Sequence, residues 1–378
     1  MVDKLKLAVA LAFAVPMVSA GQDLAYQRAE HLRHGINTSI WFAQAPGRYT
    51  QERLRTFTTD DDLRLIHDLG FDHIRLSIDP DPLVLWQRQD SAGMMFVSEL
   101  DHVVQTANGL GLAVVVDVHP EGAYKQKLLE GTDPVQQFVG LWKALAAHYA
   151  GTDAGLVFFE LMNEPEQQDA YRWEGIQLTT ATAVRAVAPK HTLIACGARW
   201  SGLPELLDAA PIGLANVIYT FHDYEPFAFT HQGATWTSPQ VAPLRQLPYP
   251  ATEGAVAANL LQEPTLAGQY FVEEYALAKW DAARIDATLA FAERWSTLHH
   301  VPVYVGEFGV HRPFAPAADR ARWTADMRTM MEKHHLGWAM WDYQTNFGLV
   351  TKKEGKTLVD PAVGAALGLK ASVIAEHQ

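Results

Sequence analysis

The sequence predicts a (β/α)8 barrel, the α/β fold in which eight parallel strands are each followed by a helix. Short runs of β-branched residues alternate with longer segments of helical period, which is the pattern of repeated βαβ units. Eight such runs occur, and several stop abruptly at a polar side chain. The 378 residues are enough for one large barrel with a sizeable core.

The predicted strands are apolar runs that end at glycine, proline or a polar residue: 35–37, 73–77, 112–119, 157–165, 192–197, 216–222, 303–309 and 337–341. The predicted helices lie between and after them, at 61–69, 98–110, 133–149, 170–188, 285–298, 318–334 and 361–369. Thr59 or Asp60 can cap the first helix and Gly70 can end it. Pro134 in a first turn is likewise typical of a helix start.

A long insertion is expected after strand 6, from 225 to about 279, because this stretch is rich in proline, glycine and glutamine. It is too long for an ordinary βα loop, so we expect irregular chain over the barrel mouth. A small subdomain within it is the alternative. No linker or internal repeat divides the rest, so 21–378 is predicted to be one catalytic domain.

Residues 1–20 have the features of a secretory signal peptide. Lys4 and Lys6 precede an apolar run, Pro16 breaks the run, and Ala20 ends a stretch of small residues. The run is short for a membrane span, although an uncleaved anchor is the alternative. The mature protein is therefore expected to be secreted or periplasmic, away from the membrane.

The amino-acid composition restricts the kinds of molecule that the protein is expected to bind. A net charge of −13 argues against nucleic acid and anionic membranes, which attract basic surfaces. Eleven tryptophans and twelve tyrosines suit a neutral, flat ligand such as a sugar, although large cores also use aromatic rings. The one cysteine, Cys196, lies in an apolar run and is predicted to fill the core. A monomer is expected.

Polar or aromatic residues stand at the C-terminal ends of six predicted strands, and in a parallel barrel these ends face one cleft. Each alone has an ordinary structural explanation, such as a solvated strand end or a satisfied core histidine. Together, with two carboxylates among them, they favour an active site: Arg75, His119, Asn163, Glu164, His222, Tyr224, Glu307 and Trp341.

Two carboxylates across a cleft suit the cleavage of a glycosidic bond. One must carry a proton to the leaving oxygen, and the other must be ionised; the repulsion between close carboxylates separates their pKa values accordingly. Two carboxylates and water suffice for this reaction, so no metal or cofactor is expected. The distance that separates retaining from inverting enzymes cannot be read from the sequence.

The chain resembles glycoside hydrolase family 5, the cellulase-type family of retaining (β/α)8 glycosidases. The resemblance runs from about Gly35 to Leu349 and rests on the strand-4 motif 163–165 (Asn-Glu-Pro), the strand-7 motif 305–309 and the other strand-end residues in barrel order. The stretch 226–236 is similar to one in bacterial endo-β-1,4-glucanases. One departure is Pro120, where a second histidine often follows the strand-3 histidine.

The resemblance implies roles for these residues. Glu307 would be the nucleophile and Glu164 the acid/base. Arg75 and Tyr224 would hold Glu307 as an anion, and Asn163 would bind the sugar 2-hydroxyl. The resemblance further implies that His119 and His222 orient Glu164 and the substrate, and that Trp341 stacks under a sugar. Trp41, Trp200 and Trp236 are candidates for more distant sugar contacts or for core packing.

The expected activity is hydrolysis of internal β-1,4-glucosidic bonds in cellulose-type β-glucans. An endo-β-1,4-mannanase, or an enzyme for xyloglucan or β-1,3-glucan, is the alternative within the family, because loops decide substrate choice. A metal-dependent barrel hydrolase would need a His-x-His pair on the first strand, where 35–37 is Gly-Ile-Asn. A non-catalytic sugar-binding barrel would lack one of the two glutamates.

Overall fold

The computed structural model describes residues 23–378, and in these the predicted barrel is confirmed. Eight strands form a closed barrel in chain order, and every neighbouring pair is parallel. Val and Ile dominate these strands because parallel strands covered on both faces are buried. The C-terminal ends of all eight strands consequently open on one side of the molecule.

The barrel strands are β1 (His34–Phe42), β2 (His73–Ile78), β3 (Ala113–Val118), β4 (Val157–Glu160), β5 (Thr192–Cys196), β6 (Val217–His222), β7 (Val303–Phe308) and β8 (Gly337–Met340). An antiparallel hairpin of β9 (Val350–Lys353) and β10 (Lys356–Val359) follows them. β4 is shorter than predicted, because its ladder stops at Glu160, which is paired with Ile194. The predicted strand-4 tip, 161–165, is therefore a loop.

The helices are α1 (23–29), α2 (Gln51–Thr56), α3 (Asp60–Leu69), α4 (Pro80–Gln87), α5 (Ser91–Gly109), α6 (Gly122–Glu130), α7 (Thr132–Tyr149), α8 (Ala170–Val187), α9 (Leu203–Asp208), α10 (Phe227–Thr230), α11 (Glu253–Leu260), α12 (Leu266–Leu277), α13 (Ala282–His299), α14 (Ala317–Lys333), α15 (Pro361–Ala366) and α16 (Ala371–Glu376). The expected cap of α3 is present: Thr59 and Asp62 form a capping box, and Gly70 ends the helix in a left-handed conformation.

Two helical regions differ from the prediction. The helix expected at 98–110 begins seven residues earlier, at Ser91, because Asp90 caps it by accepting a hydrogen bond from the Ala92 N–H. The insertion after β6 is present and is irregular over 231–252, as expected, but it also contains α10, α11 and α12. The side chain of Thr252 caps α11, and that of Thr265 caps α12.

Apolar side chains fill the lower part of the barrel interior, including Val115, Phe158, Ile194, Ile218 and Tyr304. Strand side chains alternate between faces, so residues two positions further on point into the same space nearer the mouth. There the interior becomes polar, with Asp117 on β3, Glu160 on β4 and Thr220 on β6. The change from apolar to polar layers places charged groups directly beneath the cleft.

Cys196 is buried, as predicted, and burial raises the pKa of its thiol to about 12. Within 23–378, none of the helices combines the length and the apolar character that crossing a membrane requires. The signal peptide predicted for residues 1–20 lies outside the described residues.

Candidate active site

The structure brings the eight predicted strand-end residues to the C-terminal side of the barrel. Glu307, His222 and Arg75 lie on β7, β6 and β2, and the others lie in the loops that follow their strands. Six of them line a cavity of about 1140 Å³: His119, Asn163, Glu164, Tyr224, Glu307 and Trp341. His222 lines the adjoining cavity, and Arg75 lies buried beneath both.

Glu307 is buried and held by two donors, as the resemblance implies. Nη1 of Arg75 lies 2.6 Å from its Oε1, and the Tyr224 hydroxyl lies 2.8 Å from its Oε2. Both hydrogen bonds are donated to the carboxylate, and one comes from a cation. Charge-assisted bonds of this kind stabilise the ionised form, which is the form a nucleophile needs.

Arg75 is fully buried and contacts three carboxylates. Its Nε and Nη2 form two parallel bonds of 2.8 and 2.7 Å to Glu160, and Nη2 lies 3.0 Å from Oδ2 of Asp117. Burial alone would lower the pKa of the guanidinium, but the carboxylates of Asp117, Glu160 and Glu307 hold that pKa well above its ordinary value. A buried charge persists only when it is paired in this way.

Asp117 connects Arg75 with His119. Its Oδ2 is 2.8 Å from Nδ1 of His119. Burial raises the pKa of Asp117 to about 6, although the Arg75 charge opposes the rise. Burial lowers the pKa of His119 to about 3, so its imidazole is neutral. With Nδ1–H donated to Asp117, the His119 Nε2 is left as an acceptor.

Glu164 stands in the loop after β4 with a left-handed backbone, at φ 41°, and its side chain is 26% exposed. Its Oε1 accepts a hydrogen bond of 2.9 Å from Nδ1 of His222. Burial raises the pKa of Glu164, which favours the protonated acid. Burial also lowers the pKa of His222 to about 4, so this histidine is neutral and can donate only through its protonated nitrogen.

The two glutamates face each other. Oxygen atoms of Glu164 and Glu307 and a nitrogen of His222 all lie within 4.8 Å of one another. These three donors could in principle hold a metal ion. The Arg75 guanidinium, however, already pairs with Glu307 and would repel a second cation there. The arrangement suits proton transfer and nucleophilic attack better than metal binding.

Two asparagines complete the polar layer. Oδ1 of Asn163 accepts from Nη2 of Arg75 at 3.0 Å, which leaves its amide nitrogen to donate towards the cavity. Asn37 accepts from Arg75 at 3.0 Å and donates to the carbonyl of Gly306, also at 3.0 Å. Asn37 thus fixes the arginine against β7, the strand that carries Glu307. The sequence interpretation treated 35–37 only as a strand.

The cleft extends in two directions from Glu164. A second cavity of about 900 Å³ adjoins the first, and the two have residues in common: Gln44, Asn163, Glu164, Tyr224, His231 and Trp236. The first cavity continues past Trp341, which is stacked with His119 at 5.7 Å between ring centroids. The second continues towards Trp200 and Trp280. The cleft therefore passes the glutamates and is open on both sides.

The three tryptophans whose roles the sequence left open differ clearly in solvent exposure. Trp200 and Trp236 are 51% and 59% exposed and line the cleft. Trp41 is only 1% exposed, and its Nε1 donates to the carbonyl of Leu54 at 2.6 Å. Trp41 is a core residue, so core packing is the alternative that holds for it. The residues that flank a single tryptophan in the sequence do not indicate whether its side chain is exposed.

Some residues of the site were assigned no functional role from the sequence, although Glu160 was expected to point into the barrel or its wall. Asp117 and Glu160 lie on interior-facing positions of apolar strands and contact Arg75. Their signal was present, because an acidic residue within a buried strand needs a partner. Lys125 and Glu166, which line the second cavity, carried no comparable signal.

Comparison with known proteins gives a family match along most of the chain. The family model described as cellulase (glycosyl hydrolase family 5) matches residues 33–347. Endoglucanase 3 of Fibrobacter succinogenes is 27% identical over 375 residues, which cover 93% of this chain and 55% of that protein. The chain therefore spans about half the length of this relative. Endoglucanase C of Acetivibrio thermocellus is 28% identical over 319 residues, 82% of this chain and 90% of the relative.

Solved structures agree in fold. Cel5A of Thermotoga maritima in complex with cellobiose is 26% identical, with a TM-score of 0.71, and the match covers 90% of this chain and 99% of that one. The same enzyme in complex with mannotriose matches at 25% identity with a TM-score of 0.70, over the same shares of the two chains.

Proposed function

This chain belongs to glycosyl hydrolase family 5, the cellulase family, and we propose that it hydrolyses internal β-1,4-glucosidic bonds of cellulose-type β-glucans with retention of configuration. The observation that carries the proposal is the facing pair Glu164 and Glu307, whose nearest oxygens lie within 4.8 Å. Each glutamate has its own partners: Arg75 and Tyr224 donate to Glu307, whereas His222 donates to Glu164, whose pKa is raised by burial.

Glu307 is the proposed nucleophile. The hydrogen bonds from Arg75 and Tyr224 fix its carboxylate beneath the cleft. In the first step a carboxylate oxygen of Glu307 attacks the anomeric carbon and forms a covalent glycosyl-enzyme. The bond to the leaving oxygen breaks, and its electron pair stays on that oxygen.

Glu164 is the proposed acid/base. Because burial raises its pKa, the Glu164 carboxyl group can carry the proton that the leaving oxygen needs. The hydrogen bond from His222 sets the position of this carboxyl group. Once ionised, Glu164 takes a proton from a water molecule, whose oxygen attacks the same anomeric carbon from the vacated side. The bond between this carbon and Glu307 breaks, and its electron pair restores the Glu307 carboxylate. Two inversions give net retention.

The separation of the glutamates supports this order of events. Retaining glycosidases place the two carboxyl groups about 5–5.5 Å apart, and inverting ones leave about 6.5–9.5 Å for a water. At least one oxygen of Glu164 lies within 4.8 Å of an oxygen of Glu307, an approach that supports the shorter, retaining separation. The site therefore fits attack by Glu307 itself.

The residues around the pair fit a sugar chain. The amide nitrogen of Asn163 is available for the 2-hydroxyl, and Nε2 of His119 is available as an acceptor. Trp341 offers a ring face in the first cavity, while Trp200 and Trp236 offer exposed rings further along. A cleft that is open on both sides of Glu164 admits the middle of a polymer, which supports internal cleavage.

A second candidate is an endo-β-1,4-mannanase. It is favoured by one observation, the mannotriose complex of the Thermotoga enzyme, which is 25% identical to this chain. Initial rates on carboxymethyl-cellulose, glucomannan, mannan, xyloglucan and laminarin decide between the candidates. Glucan hydrolysis at the highest rate supports the first proposal, and a preference for mannan would replace it.

The mechanism is tested by azide rescue with an activated aryl β-cellobioside. Glu307→Ala with azide is expected to give the α-glycosyl azide, because only one inversion takes place. Glu164→Ala with azide is expected to give the β-product, because azide then intercepts the glycosyl-enzyme. Each variant should lose at least about 100-fold in cellulose hydrolysis without azide. Near-normal activity of Glu307→Ala would refute the assignment.

We further propose that residues 1–20 direct export and are removed, and that the mature chain, 21–378, acts as a single-domain monomer outside the cytoplasm. The basic start and apolar run of this segment support the proposal. N-terminal sequencing of protein from the periplasm and the medium tests export, and light scattering tests the monomer. A retained leader in both fractions, or a stable dimer, would overturn the respective point.

A further inference from the structure

Lys125 is a buried cation beside the cleft with almost no partner. It lies on α6, and its side chain is 7% exposed. Among the described residues its one ion-pair partner is Glu166, at 3.6 Å from Nζ to Oε1. This distance exceeds that of a normal hydrogen bond, and an ammonium group has three donors to satisfy. The donors of Lys125 are therefore available to a ligand.

Lys125 and Glu166 lie on a defined side of the scissile bond. Both line the second cavity together with Glu164, whereas Glu307, His119 and Trp341 line the first. In the proposed reaction the bond to Glu307 forms on the sugar in the first cavity. The sugar that departs with the proton from Glu164 therefore occupies the second cavity, beside Lys125.

An exposed ring completes this side. Trp200 also lines the second cavity, and its backbone N–H donates to the carbonyl of Pro165 at 3.1 Å, which ties its loop to the segment carrying Glu164 and Glu166. Trp200 lies in a run of left-handed residues, with φ 66°, and its side chain remains 51% exposed. A sugar stacked on this ring would direct its hydroxyl edge towards neighbouring polar groups.

We propose that Lys125 and Glu166 form the binding site for the sugar unit on the leaving-group side, the ammonium donating to one hydroxyl and the carboxylate accepting from another. A hydroxyl group both donates and accepts, so a cation and an anion side by side match two adjacent hydroxyls of a neutral sugar. This assignment rests on the proposed glycosidase function and adds the residues that select the departing unit.

Lys125 can affect the reaction in two ways, by contacting the substrate and by its charge near Glu164, and the test must distinguish them. Among the described residues, the titratable or charged groups that face Glu164 are Arg75 from β2, Asp117 from β3, His119 after β3, Lys125 from α6, Glu166 in its own loop, His222 from β6, Tyr224 after β6 and Glu307 from β7. Removing Lys125 changes both substrate contact and the field at Glu164. The test therefore uses two substrates that both require protonation of the leaving group.

The experiment compares kcat/KM for cellotetraose, cut into two cellobioses, with that for phenyl β-cellobioside, whose leaving group has no sugar hydroxyls. Both are measured where activity is independent of pH. Lys125→Met is expected to lose about 10-fold to 100-fold on cellotetraose, the range of a hydrogen bond to a charged group, and less than about 2-fold on the phenyl substrate. Glu166→Gln should show the same selectivity with a smaller loss.

Lys127→Met is the matched control, because Lys127 is exposed on the same helix. It should leave both rates unchanged. Equal losses on the two substrates in Lys125→Met would show a role in folding or through Glu164 and would overturn the proposal, as would no loss on either. Failure of the wild-type protein to cleave either substrate would instead refute the proposed function.

Discussion

Replacing Arg75 with methionine is expected to destabilise the barrel severely, because three buried carboxylates would lose the cation that they contact. The guanidinium lies 3.0 Å from Asp117, 2.7 Å from Glu160 and 2.6 Å from Glu307. Methionine is shorter but has a similar volume, and it has no charge and no hydrogen-bond donor. The substitution therefore leaves the core volume roughly unchanged and removes the electrostatic partner.

The size of the effect follows from the burial of these groups. Breaking one buried ion pair by removing a partner costs about 3–5 kcal/mol. Three carboxylates lose a partner here, but they can take up protons, so the costs do not simply add. We expect the free energy of unfolding to fall by about 5 kcal/mol or more near neutral pH, a large part of the roughly 5–15 kcal/mol that stabilises most proteins.

The loss should depend on pH in a defined direction. In the native protein, burial already raises the pKa of Asp117 to about 6, despite Arg75. Without the cation that pKa must rise further above the unfolded value of about 4. A group with a raised folded-state pKa contributes stability that is complete below the unfolded pKa and is lost as pH rises through the folded pKa. The variant should therefore approach wild type near pH 4 to 5 and fall furthest behind above pH 7.

Urea unfolding followed by tryptophan fluorescence, at about pH 5 and about pH 8, measures both quantities. Arg64→Met is the control, since Arg64 is 56% exposed and pairs only with the exposed Asp61 among the described residues. It should cost less than about 0.5 kcal/mol at either pH. If Arg75→Met cost no more than this control, or cost the same at both pH values, the electrostatic account of the barrel interior would be wrong.

Three further outcomes are expected. Glu164→Gln should still release a burst of dinitrophenol from 2,4-dinitrophenyl β-cellobioside, because this leaving group needs no proton. Its steady-state activity on phenyl β-cellobioside should fall by at least about 100-fold. Equal losses of activity on the two substrates would show that Glu164 is not the acid. The proposed acid, Glu164, must be protonated to act, so activity is expected to fall as pH rises through its pKa, which Lys125 lowers and Glu166 raises. Lys125→Met should therefore move the alkaline limb of kcat/KM for phenyl β-cellobioside to higher pH and Glu166→Gln to lower pH; shifts in the same direction would contradict this. Trp41→Phe should cost about 1–3 kcal/mol of stability in urea unfolding with kcat retained, whereas Trp200→Ala should keep the stability and raise KM for cellotetraose; the reverse pattern would exchange their roles.

The barrel and the general position of its site were predictable because both follow from local patterns. Buried parallel strands need apolar runs, and a polar residue at the end of a run marks the edge where the cleft opens. Glu307 illustrates this, since it lies on β7 where the sequence placed it. Glu164 was placed at the correct end of the barrel but on a strand, because the sequence does not show where the ladder of β4 stops.

The distances and the exposures could not be predicted, since they depend on residues far apart in the chain. Arg75 and Glu160 are separated by 85 positions, and neither flanking sequence indicates that they form a bidentate pair. Trp41 lies near the end of β1 and Trp200 in the loop after β5, yet the first is buried and the second is exposed in the cleft. The helices of the insertion, in contrast, had local signals in their threonine caps, which the proline and glycine content obscured.

The acidic layer beneath the cleft connects the stability of the barrel with its chemistry. A guanidinium group has a rigid, planar set of donors, so the bonds of Nε and Nη2 to Glu160 determine where Nη1 points. Nη1 in turn meets Glu307, and Asn37 supports it from β1. The core acids therefore act as positioning groups: they orient the one cation that holds the proposed nucleophile. A lysine at position 75 would supply the charge without this orientation, because a single ammonium group cannot span Glu160 and Glu307 in fixed directions. Burial raises the pKa values of Asp117 and Glu160, which weakens the folded state at neutral pH. Stability therefore does not explain why the barrel buries more carboxylates than cations. The orientation of Arg75 does.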